Sequence, residues 1–298
     1  MAYFLQQLIN GIALGSIYGL IAIGYTMVYG IIGMINFAHG DIFMVGAFIA
    51  LIAFLALMSL GLTMIPLALL IVLIIAMLFT AVWGWTVERI AYRPLRESFR
   101  LAPLITAIGM SIVLQNVAYL VWGPKALPFP VPFGMPVEFG DMVLPQSYVW
   151  IVAAALVLMA ALHLFLRKTR LGLAVRAVAH NKDIAYLMGI NVPLMISVIF
   201  GIGCALGGAA GVLIGPINYV QVQMGIGVLI KAFAAAVVGG FGSLPGAVLG
   251  GLLVGVVESL GAGYVSGTYK DIYAFILLII VLMVKPSGIL GIEAKVKA

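Results

Sequence analysis

Charged residues are scarce in this chain. Asp, Glu, Lys and Arg make up only 8% of its 298 residues, whereas apolar residues make up 65%, and the mean hydropathy is +1.27. A typical soluble domain has about 25% charged residues, so this composition excludes a soluble globular protein. Long apolar runs are typical of membrane helices, because lipid forces each backbone amide to bond within its own segment.

Cysteine and histidine are nearly absent as well. Cys204 is the single cysteine, which excludes an intrachain disulfide and a cysteine-based zinc cluster. The three histidines, His39, His163 and His180, do not have the spacing of a metal site. No lysine follows a glycine, so the phosphate-binding loop G-x-x-x-x-G-K-[ST] is missing. Since no nucleophile has a neighbouring base either, we expect no metal, no cofactor, no catalytic residue and no enzyme activity.

The apolar runs predict an all-α polytopic membrane protein of about eight or nine transmembrane helices, forming one domain over residues 1–298. The first run holds 30 residues, or about 45 Å as a helix, which exceeds a bilayer core of about 30 Å. We therefore expect this run to tilt or to break near Tyr29–Gly33. The runs are Leu5–Met34, Ile42–Leu60, Leu62–Val87, Leu101–Trp122, Tyr148–Leu166, Leu194–Gly215, Met224–Phe241, Leu244–Gly261 and Thr268–Val284.

Lysine and arginine concentrate in three clusters, which indicate the sidedness of the chain. An even number of predicted spans separates each pair of clusters, so all three face one side, which the positive-inside rule makes the cytoplasm. The net charge of +6 therefore does not indicate nucleic-acid binding. No Lys or Arg precedes Glu88, so the N-terminal orientation stays open and we expect no cleavable signal peptide. The clusters are Arg89, Arg93, Arg96 and Arg100; Arg167, Lys168, Arg170, Arg176 and Lys182; and Lys285, Lys295 and Lys297.

The segments 123–147 and 262–267 then lie outside. The first of them is rich in proline, which forbids a regular helix. We expect an extended segment or a short hairpin there, serving either as a lid on the outer surface or as a plain connector. Its prolines are Pro124, Pro128, Pro130, Pro132, Pro136 and Pro145.

Glycines recur every four residues in several predicted helices. This spacing places them on one helix face, where the missing side chains let two backbones approach closely. It indicates tight helix packing, either within the chain or against a second subunit. The main set is Gly203, Gly207, Gly211 and Gly215, and the pattern repeats at Gly11, Gly15 and Gly19, at Gly246 and Gly250, and at Gly251 and Gly255.

Some polar side chains lie between or within the apolar runs, where ionisable groups are costly and usually face a cavity or a partner. Asn36, His39 and Asp41 either cap the start of the next span or line a translocation path through an unwound segment. Lys231 and Glu258 each lie roughly 16–18 Å from the turn between their two spans. They either pair with each other or reach the outer interface separately.

A polar segment, residues 167–193, interrupts the apolar runs. We predict a helix from Leu171 to about Ala179 and a second, short helix that Asn181 caps, with Asp183 in its first turn. Gly189 is a natural helix terminator. The short helix either lies on lipid headgroups or fills a groove on another protein. Its apolar face comprises Ile184, Ala185, Leu187 and Met188.

Four motifs follow one another along the chain. They are INFAHGD at 35–41, the set TRLG, RAVA, Asn181 and LMGIN within 169–191, VGGFGSLPG at 238–246 and KPSGILG at 285–291. In this order they resemble the branched-chain amino acid permease family of ABC transporters, whose C-terminal motif has Arg in place of Lys285. The short cytoplasmic loops and charge-free N-terminal part are similar to the smaller of the two permease subunits in high-affinity leucine, isoleucine and valine uptake systems.

The resemblance implies an importer subunit in the bacterial inner membrane with no ATPase of its own. Its partners would be a second permease subunit (a paralogue or another copy), two cytoplasmic ABC ATPases and a periplasmic solute-binding protein. The segment 167–193 would contain a coupling helix, seated in a groove of an ATPase subunit. The coupling residues so implied are Arg176, Asn181, Asp183, Ile184, Ala185, Leu187, Met188 and Gly189.

A substrate with a zwitterionic head group and an apolar side chain needs a weakly polar path, so we expect no deep charged site there and selectivity that resides mostly in the binding protein. Residues that can line the path are Asn36, His39, Asp41, Ser111, Gln115 and Asn116.

The sequence leaves one alternative function within the family and speaks against two outside it. A permease for urea, short-chain amides or another small solute is the alternative within the family, because no residue in the sequence separates these substrates. An ion-coupled secondary transporter lacks its ion-site carboxylates and has no role for the segment 167–193. An intramembrane enzyme lacks its catalytic set. ATPase and binding-protein genes beside this gene would favour the importers.

Overall fold

Helices account for most of the chain in the computed structural model, which describes residues 2–33, 36–62, 64–95, 98, 101–130, 136–140 and 142–291. A π-helical turn (Glu88–Tyr92) and a 3-10 turn (Arg93–Leu95) extend the third helix, and a 3-10 turn (Gly267–Tyr269) leads into the last. The helices are α1 (Ala2–Ile32), α2 (His39–Ser59), α3 (Ile65–Val87), α4 (Ala102–Trp122), α5 (Gln146–Lys168), α6 (Arg170–His180), α7 (Lys182–Leu187), α8 (Val192–Ile214), α9 (Met224–Gly239), α10 (Leu244–Tyr264) and α11 (Lys270–Val284).

Eight helical segments in the described ranges are long and apolar enough to cross a membrane, and α9, with 16 residues, is a shorter ninth. The predicted all-α polytopic fold of about eight or nine helices is therefore confirmed. α1 has 31 residues and ends at Ile32, where Gly33 adopts a φ of +74° that suits glycine. The helix thus ends within the region where the sequence predicts a break.

α1 and α8 form the centre of the bundle. α1 packs along α10 and against α8, and α8 packs against α2 and α3. A Cβ built on Gly15 of α1 would lie 2.7 Å from the Cα of Leu252 in α10. One built on Gly46 of α2 would lie 2.6 Å from the Cα of Gly208 in α8. Since real Cβ atoms do not approach a backbone so closely, these helices are in direct backbone contact.

Basic residues gather at one end of the bundle, which we call the basic end. A cavity of about 120 Å³ there is lined by Gly30 at the end of α1, by Arg176 of α6 and by Gly242 in the turn before α10. Ser197, near the start of α8, donates a 2.6 Å hydrogen bond to Glu88 at the end of α3. The described basic residues of this end are Arg89, Arg93, Arg167, Lys168, Arg170, Arg176, Lys182 and Lys285. Arg96, Arg100, Lys295 and Lys297 of the predicted clusters lie outside the described residues.

The chain after α11 also packs at the basic end. The amide of Ile289 donates to the carbonyl of Val238 at 2.8 Å, and that of Leu290 donates to the carbonyl of Gly239 at 2.9 Å. The VGGFGSLPG and KPSGILG motifs are therefore in direct contact at the end of α9.

The N-terminus of α1 lies at the opposite end. The Tyr3 hydroxyl donates to the carbonyl of Gly263, at the end of α10, at 2.8 Å. The Gln6 side chain accepts a 3.0 Å hydrogen bond from the Val143 amide. These contacts establish the orientation of α1, which the sequence leaves open.

α2 begins inside the bundle. Its first residue, His39, is 1% exposed, and its Nε2 would lie 3.0 Å from a Cβ on Gly24 of α1. α9 begins at the same place, because a Cβ on Gly225 would lie 2.8 Å from the carbonyl oxygen of Gly40. The chain therefore returns from the basic end, where α1 ends, into the middle of the bundle before α2 starts.

A short hairpin follows α4 in the segment that the sequence predicts to be extended or a hairpin. Its strands, β1 (Val137–Phe139) and β2 (Met142–Leu144), are antiparallel. Earlier in the segment, Leu127 pairs with Val220 in an isolated bridge. The Phe129 ring packs 5.5 Å from that of Phe54 in α2. Residues 131–135, which include Pro132, and residue 141 lie outside the described ranges.

Candidate functional site

Asp41 is the centre of a buried hydrogen-bonded group. The Gln115 Nε2 of α4 donates to Asp41 Oδ1 at 3.0 Å and to Ser111 Oγ at 3.1 Å. Asp41 is 1% exposed and lies in the first turn of α2, where the helix dipole favours an anion. A Cβ on Gly225 would lie 3.1 Å from the same oxygen, so the first turn of α9 faces it too. The capping and path interpretations of Asp41 are therefore compatible.

Asn36 and His39 flank this group. Asn36 Oδ1 accepts from the Ala38 amide at 3.0 Å and from the Tyr92 hydroxyl at 2.6 Å. Asn36 Nδ2 and both ring nitrogens of His39 have no hydrogen-bond partner among the described residues, although both side chains are buried. A buried polar group without a partner typically costs about 1–3 kcal/mol. The centre of the bundle therefore keeps unused hydrogen-bonding capacity, in the set that we call the central cluster: Asn36, His39, Asp41, Ser111 and Gln115.

Asn116 does not belong to the central cluster. Its side chain is exposed and donates to the carbonyl of Ile112, one turn back in α4, at 2.7 Å. Successive residues of a helix point in directions about 100° apart, so Gln115 and Asn116 cannot both face Asp41. Of the six predicted path residues, the structure brings five together and separates this one.

An apolar groove of about 320 Å³ opens beside the central cluster, lined by residues such as Tyr25, Phe37, Ser111 and Phe233. The Tyr25 ring packs edge-on against the His39 ring, with centroids 5.6 Å apart. The groove and the cluster therefore share a wall. One side offers aromatic and aliphatic surface, and the other offers polar groups.

The four predicted packing glycines of α8 contact other parts of the same chain. A Cβ on Gly203 would lie 3.1 Å from the Gly24 carbonyl oxygen of α1, and one on Gly211 would lie 2.5 Å from the Phe43 carbonyl oxygen of α2. Gly207 faces the His39 ring, and Gly215 faces the Phe129 ring. These glycines thus pack within the chain, and the glycine face of α8 lies against α1 and the first half of α2.

Two capped helices form the polar segment at the basic end. The Thr169 hydroxyl accepts from the Gly172 amide at 2.9 Å at the start of α6. Asn181 Oδ1 accepts from the amides of Asp183 at 2.9 Å and Ile184 at 3.0 Å at the start of α7. Gly189, with a φ of +79°, follows the end of α7.

α7 exposes most of its apolar side chains. Leu187 is 84% exposed and Met188 is 72% exposed, and Ile184 is exposed too, whereas Ala185 is buried. The Ile190 amide donates to the Ala185 carbonyl at 3.1 Å, which closes the end of α7 just before α8 begins. An exposed apolar patch beside basic residues is typical of an interaction surface.

Lys231 and Glu258, which the sequence predicts either to pair or to reach the outer interface separately, meet in the structure. Lys231 Nζ lies 2.5 Å from Glu258 Oε1 and 2.8 Å from Asp271 Oδ1. Lys231 and Glu258 are buried between α9 and α10, whereas the Asp271 side chain is 66% exposed at the start of α11. Nothing in the sequence indicates that Asp271 joins this pair, because an acidic residue in the first turn of a helix usually interacts with the helix dipole.

No group of three or more His, Cys, Asp or Glu side chains that could hold a metal ion occurs within the described ranges. Cys204 is a buried free thiol between α3 and α8.

A bundle of glycine-packed apolar helices with a polar centre defines a polytopic membrane transport protein. This chain belongs to the family described as the permease component of branched-chain amino acid transport systems, whose sequence profile matches residues 7–282.

Two of the named relatives cover nearly the whole chain, and a third covers about half of it. The high-affinity branched-chain amino acid transport system permease protein BraD of Pseudomonas aeruginosa is 48% identical over 97% of this chain and 96% of that protein. The corresponding protein LivH of Escherichia coli K12 is 46% identical over the same shares. The fructose import permease protein FrcC of Rhizobium meliloti is 34% identical over 51% of this chain and 43% of its own length.

A solved structure with a similar fold is PsaBC from Streptococcus pneumoniae in complex with Fab. It matches with a TM-score of 0.50 and 13% identity, covering 96% of this chain and 93% of the matched chain. At this identity the likeness concerns the fold alone.

Proposed function

We propose that this chain is the permease subunit of an ABC importer that moves branched-chain amino acids across the bacterial inner membrane. The observation that carries the proposal is the 46–48% identity, over 97% of the chain, to permeases named for high-affinity branched-chain amino acid transport. In this proposal residues 1–298 form one permease domain, whose basic end faces the cytoplasm.

The energy comes from partner subunits. Two cytoplasmic ABC ATPases hydrolyse ATP, a periplasmic solute-binding protein delivers the amino acid, and a second permease subunit, a paralogue or another copy, completes the membrane part. The exposed apolar side chains of α7 dock in a groove of an ATPase subunit, as amphipathic helices do. The neighbouring residues Arg176, Asn181, Asp183 and Gly189 shape and hold this coupling helix.

The coupling segment leads directly into the centre of the bundle. α7 and α8 contact each other, and only residues 188–191 separate them in the chain. α8 in turn packs its glycine face on α1 and α2, beside His39. A displacement of α7 therefore moves the helix that bounds the central cluster, and this movement switches the path between its outward and inward openings.

The central cluster and its groove supply the path. The groove accepts an apolar side chain, and the unpaired groups of Asn36 and His39 offer weak hydrogen bonds to the polar part of the substrate. Asp41 is already bonded to Gln115, which holds the start of α2 against α4. A path of this kind passes its substrate without holding it, so choice among side chains falls to the binding protein.

Uptake into vesicles tests the proposal. The chain, purified with its permease, ATPase and binding-protein partners, is reconstituted in proteoliposomes. Radioactive leucine should accumulate only when ATP is supplied on the ATPase side. Accumulation that an ion gradient drives without ATP would contradict the proposal.

A pair of variants tests the coupling helix. Met188→Asp places a charge on the exposed apolar patch and should uncouple ATP hydrolysis from leucine uptake while the chain remains in the membrane. Val265→Asp, at an equally exposed position at the opposite end, is the matched control and should leave the ratio of uptake to hydrolysis unchanged. Ala185→Asp should uncouple as well, but Ala185 is buried, so this variant also disturbs the packing of α7. If Met188→Asp transports with an unchanged ratio, the docking site lies elsewhere.

A further inference from the structure

A polar cavity of about 480 Å³ opens at the end opposite the basic end. It lies between the first half of α1, the end of α10 and the starts of α9 and α11. Small-molecule sites typically have volumes of roughly 300–1,000 Å³. The Lys231, Glu258 and Asp271 side chains lie in its wall. The proposed function gives the cavity no role.

The charged side chains in the cavity leave part of their hydrogen-bonding capacity unused. Glu258 is 4% exposed, yet its Oε2 has no hydrogen-bond partner among the described residues, although the Tyr18 hydroxyl lies near this carboxylate. An ammonium group carries three donors, and the Lys231 ammonium uses two of them, on Glu258 and Asp271. Glu258 therefore keeps one buried acceptor, and the third donor of Lys231, whose Nζ lies 5.7 Å from the centroid of the Tyr18 ring, has no oxygen partner among the described residues.

The rest of the wall is divided between polar and apolar side chains. Lys270 and the amide groups of Asn10 and Gln223 are among its polar lining residues, and Leu14 and Val228 are among its apolar ones. A ligand that fits this wall carries a positive and a negative group next to each other and a short apolar side chain. That is the chemistry of a free apolar α-amino acid.

We propose that this cavity is a subsite for the zwitterionic head group of the transported amino acid. The ligand's ammonium donates to Glu258 Oε2, its carboxylate accepts from Lys231, and its side chain lies against Leu14 and Val228. The proposal rests on the proposed function, since it assigns the substrate's first contact with the permease. It departs from the sequence-based expectation of a path without a charged site. The cavity binds the head group, which all α-amino acids share, so the choice among side chains is left to the binding protein.

Binding measurements with three probes test the subsite. The transporter is assembled from the full-length chain and its permease and ATPase partners in nanodiscs, without the binding protein. Binding of leucine is compared with that of 4-methylpentanoate, which lacks the ammonium group, and of 3-methylbutylamine, which lacks the carboxylate. Leucine should bind about tenfold more tightly than either analogue, which corresponds to about 1.4 kcal/mol.

Substitutions in the cavity should remove this preference selectively. Glu258→Gln should weaken leucine binding to the level of 4-methylpentanoate and leave the binding of 4-methylpentanoate unchanged. Asp271→Asn, at an exposed position that tolerates substitution, should weaken leucine binding by a few fold while the chain stays folded. Glu138→Gln, an exposed residue of the hairpin at the same end, is the matched control and should bind all three probes like the unchanged chain.

Three results would overturn the proposal. They are equal binding of all three probes, no leucine binding at millimolar concentrations, and a loss in Glu258→Gln that is the same for all probes. The last would mean that the three charges only hold α9, α10 and α11 together. ATP-dependent leucine uptake, measured in the same preparation after adding the binding protein, separates the two proposals. Uptake without head-group preference refutes the subsite alone, whereas head-group preference without uptake refutes the proposed transport and leaves the cavity as an amino-acid site.

Discussion

By hydropathy, four helices are about equally suited to lipid: the inner helices α1 and α8 and the peripheral helices α4 and α11. The two pairs nevertheless differ strongly in how much of their surface is buried. In α1, 89% of the apolar window is buried, and in α8 78%, against 17% in α4 and 6% in the last span. The mean hydropathy of α1 is in fact slightly lower than that of α4 or α11.

Glycine content separates the two groups where hydropathy does not. α1 and α8 each carry several glycines at backbone contacts, whereas α4 has only Gly109, which has nothing within 4 Å of an added Cβ, and α11 has none. In lipid, apolar surface gains little from leaving its surroundings, so helices associate through close packing. The comparison teaches that the interior of this protein is marked by small residues.

The largest effect is expected at the contact between α1 and α10. Gly15→Leu places a side chain where even a Cβ would lie 2.7 Å from the Leu252 backbone. Since backbone atoms cannot move aside, the folded state should lose more than about 4 kcal/mol. Size-exclusion chromatography and thermal unfolding in detergent should detect little folded protein. Gly109→Leu, in peripheral α4, is the control, and a similar loss there would refute the distinction between inner and peripheral glycines.

The buried ion pair should give the next largest effect. Lys231→Glu places a third carboxylate beside Glu258 and Asp271, and breaking a buried pair typically costs about 3–5 kcal/mol. Glu258→Lys should cost a similar amount. The double substitution Lys231→Glu with Glu258→Lys restores opposite charges, so its unfolding temperature should exceed that of either single variant. A double variant that is no more stable than the singles would show that the pair contributes nothing to folding.

A smaller effect is expected in the turn between α9 and α10. Gly240 and Gly242 both have positive φ angles, +102° and +88°. A Cβ on Gly240 would lie 2.5 Å from the Cα of Gly291, whereas Gly242 has nothing within 4 Å. Alanine at either position costs roughly 1–2 kcal/mol in backbone strain, and Gly240→Ala adds overpacking of about 1–3 kcal/mol. Equal unfolding temperatures for the two variants would mean that the contact with Gly291 contributes no stability.

The smallest effect should have the opposite sign. Gly109→Ala fills empty space on the exposed face of α4 and removes the entropic cost of a helical glycine, about 0.5–1 kcal/mol. A slight increase in unfolding temperature is expected, together with unchanged leucine uptake. A clear decrease in stability would show that α4 packs closely against a partner at this position.

Much of the fold could be predicted from the sequence. The apolar runs predicted the helices to within a few residues, and the break near Gly33, the cap at Asn181 and the terminator Gly189 follow from local residue preferences. Four-residue glycine spacing predicted backbone contact. The spacing could not identify the partner helix, because it describes one face of one helix and not the element that packs against that face.

Less of the candidate site could be predicted from the sequence. Asn36, His39 and Asp41 could be grouped from the sequence because they are neighbours in the chain. Their contacts to Tyr92 and Gln115 could not be predicted, since these depend on where α2 begins inside the bundle. Asn116 was included because its side chain is polar, although its direction depends on the rotation of α4. Asp271 was missed because its role requires α9, α10 and α11 to meet.

The hydrogen bonds that Ile289 and Leu290 donate to Val238 and Gly239 have a consequence for biosynthesis. Carbonyl groups at a helix C-terminus have no partner within the helix, and those at the end of α9 receive theirs from residues that the ribosome adds only after α10 and α11. A nascent chain can thus insert α9 into the bilayer, yet leaves that end uncapped until translation is nearly complete. A chain truncated after α11 would lack the cap and present unpaired carbonyls to quality-control proteases.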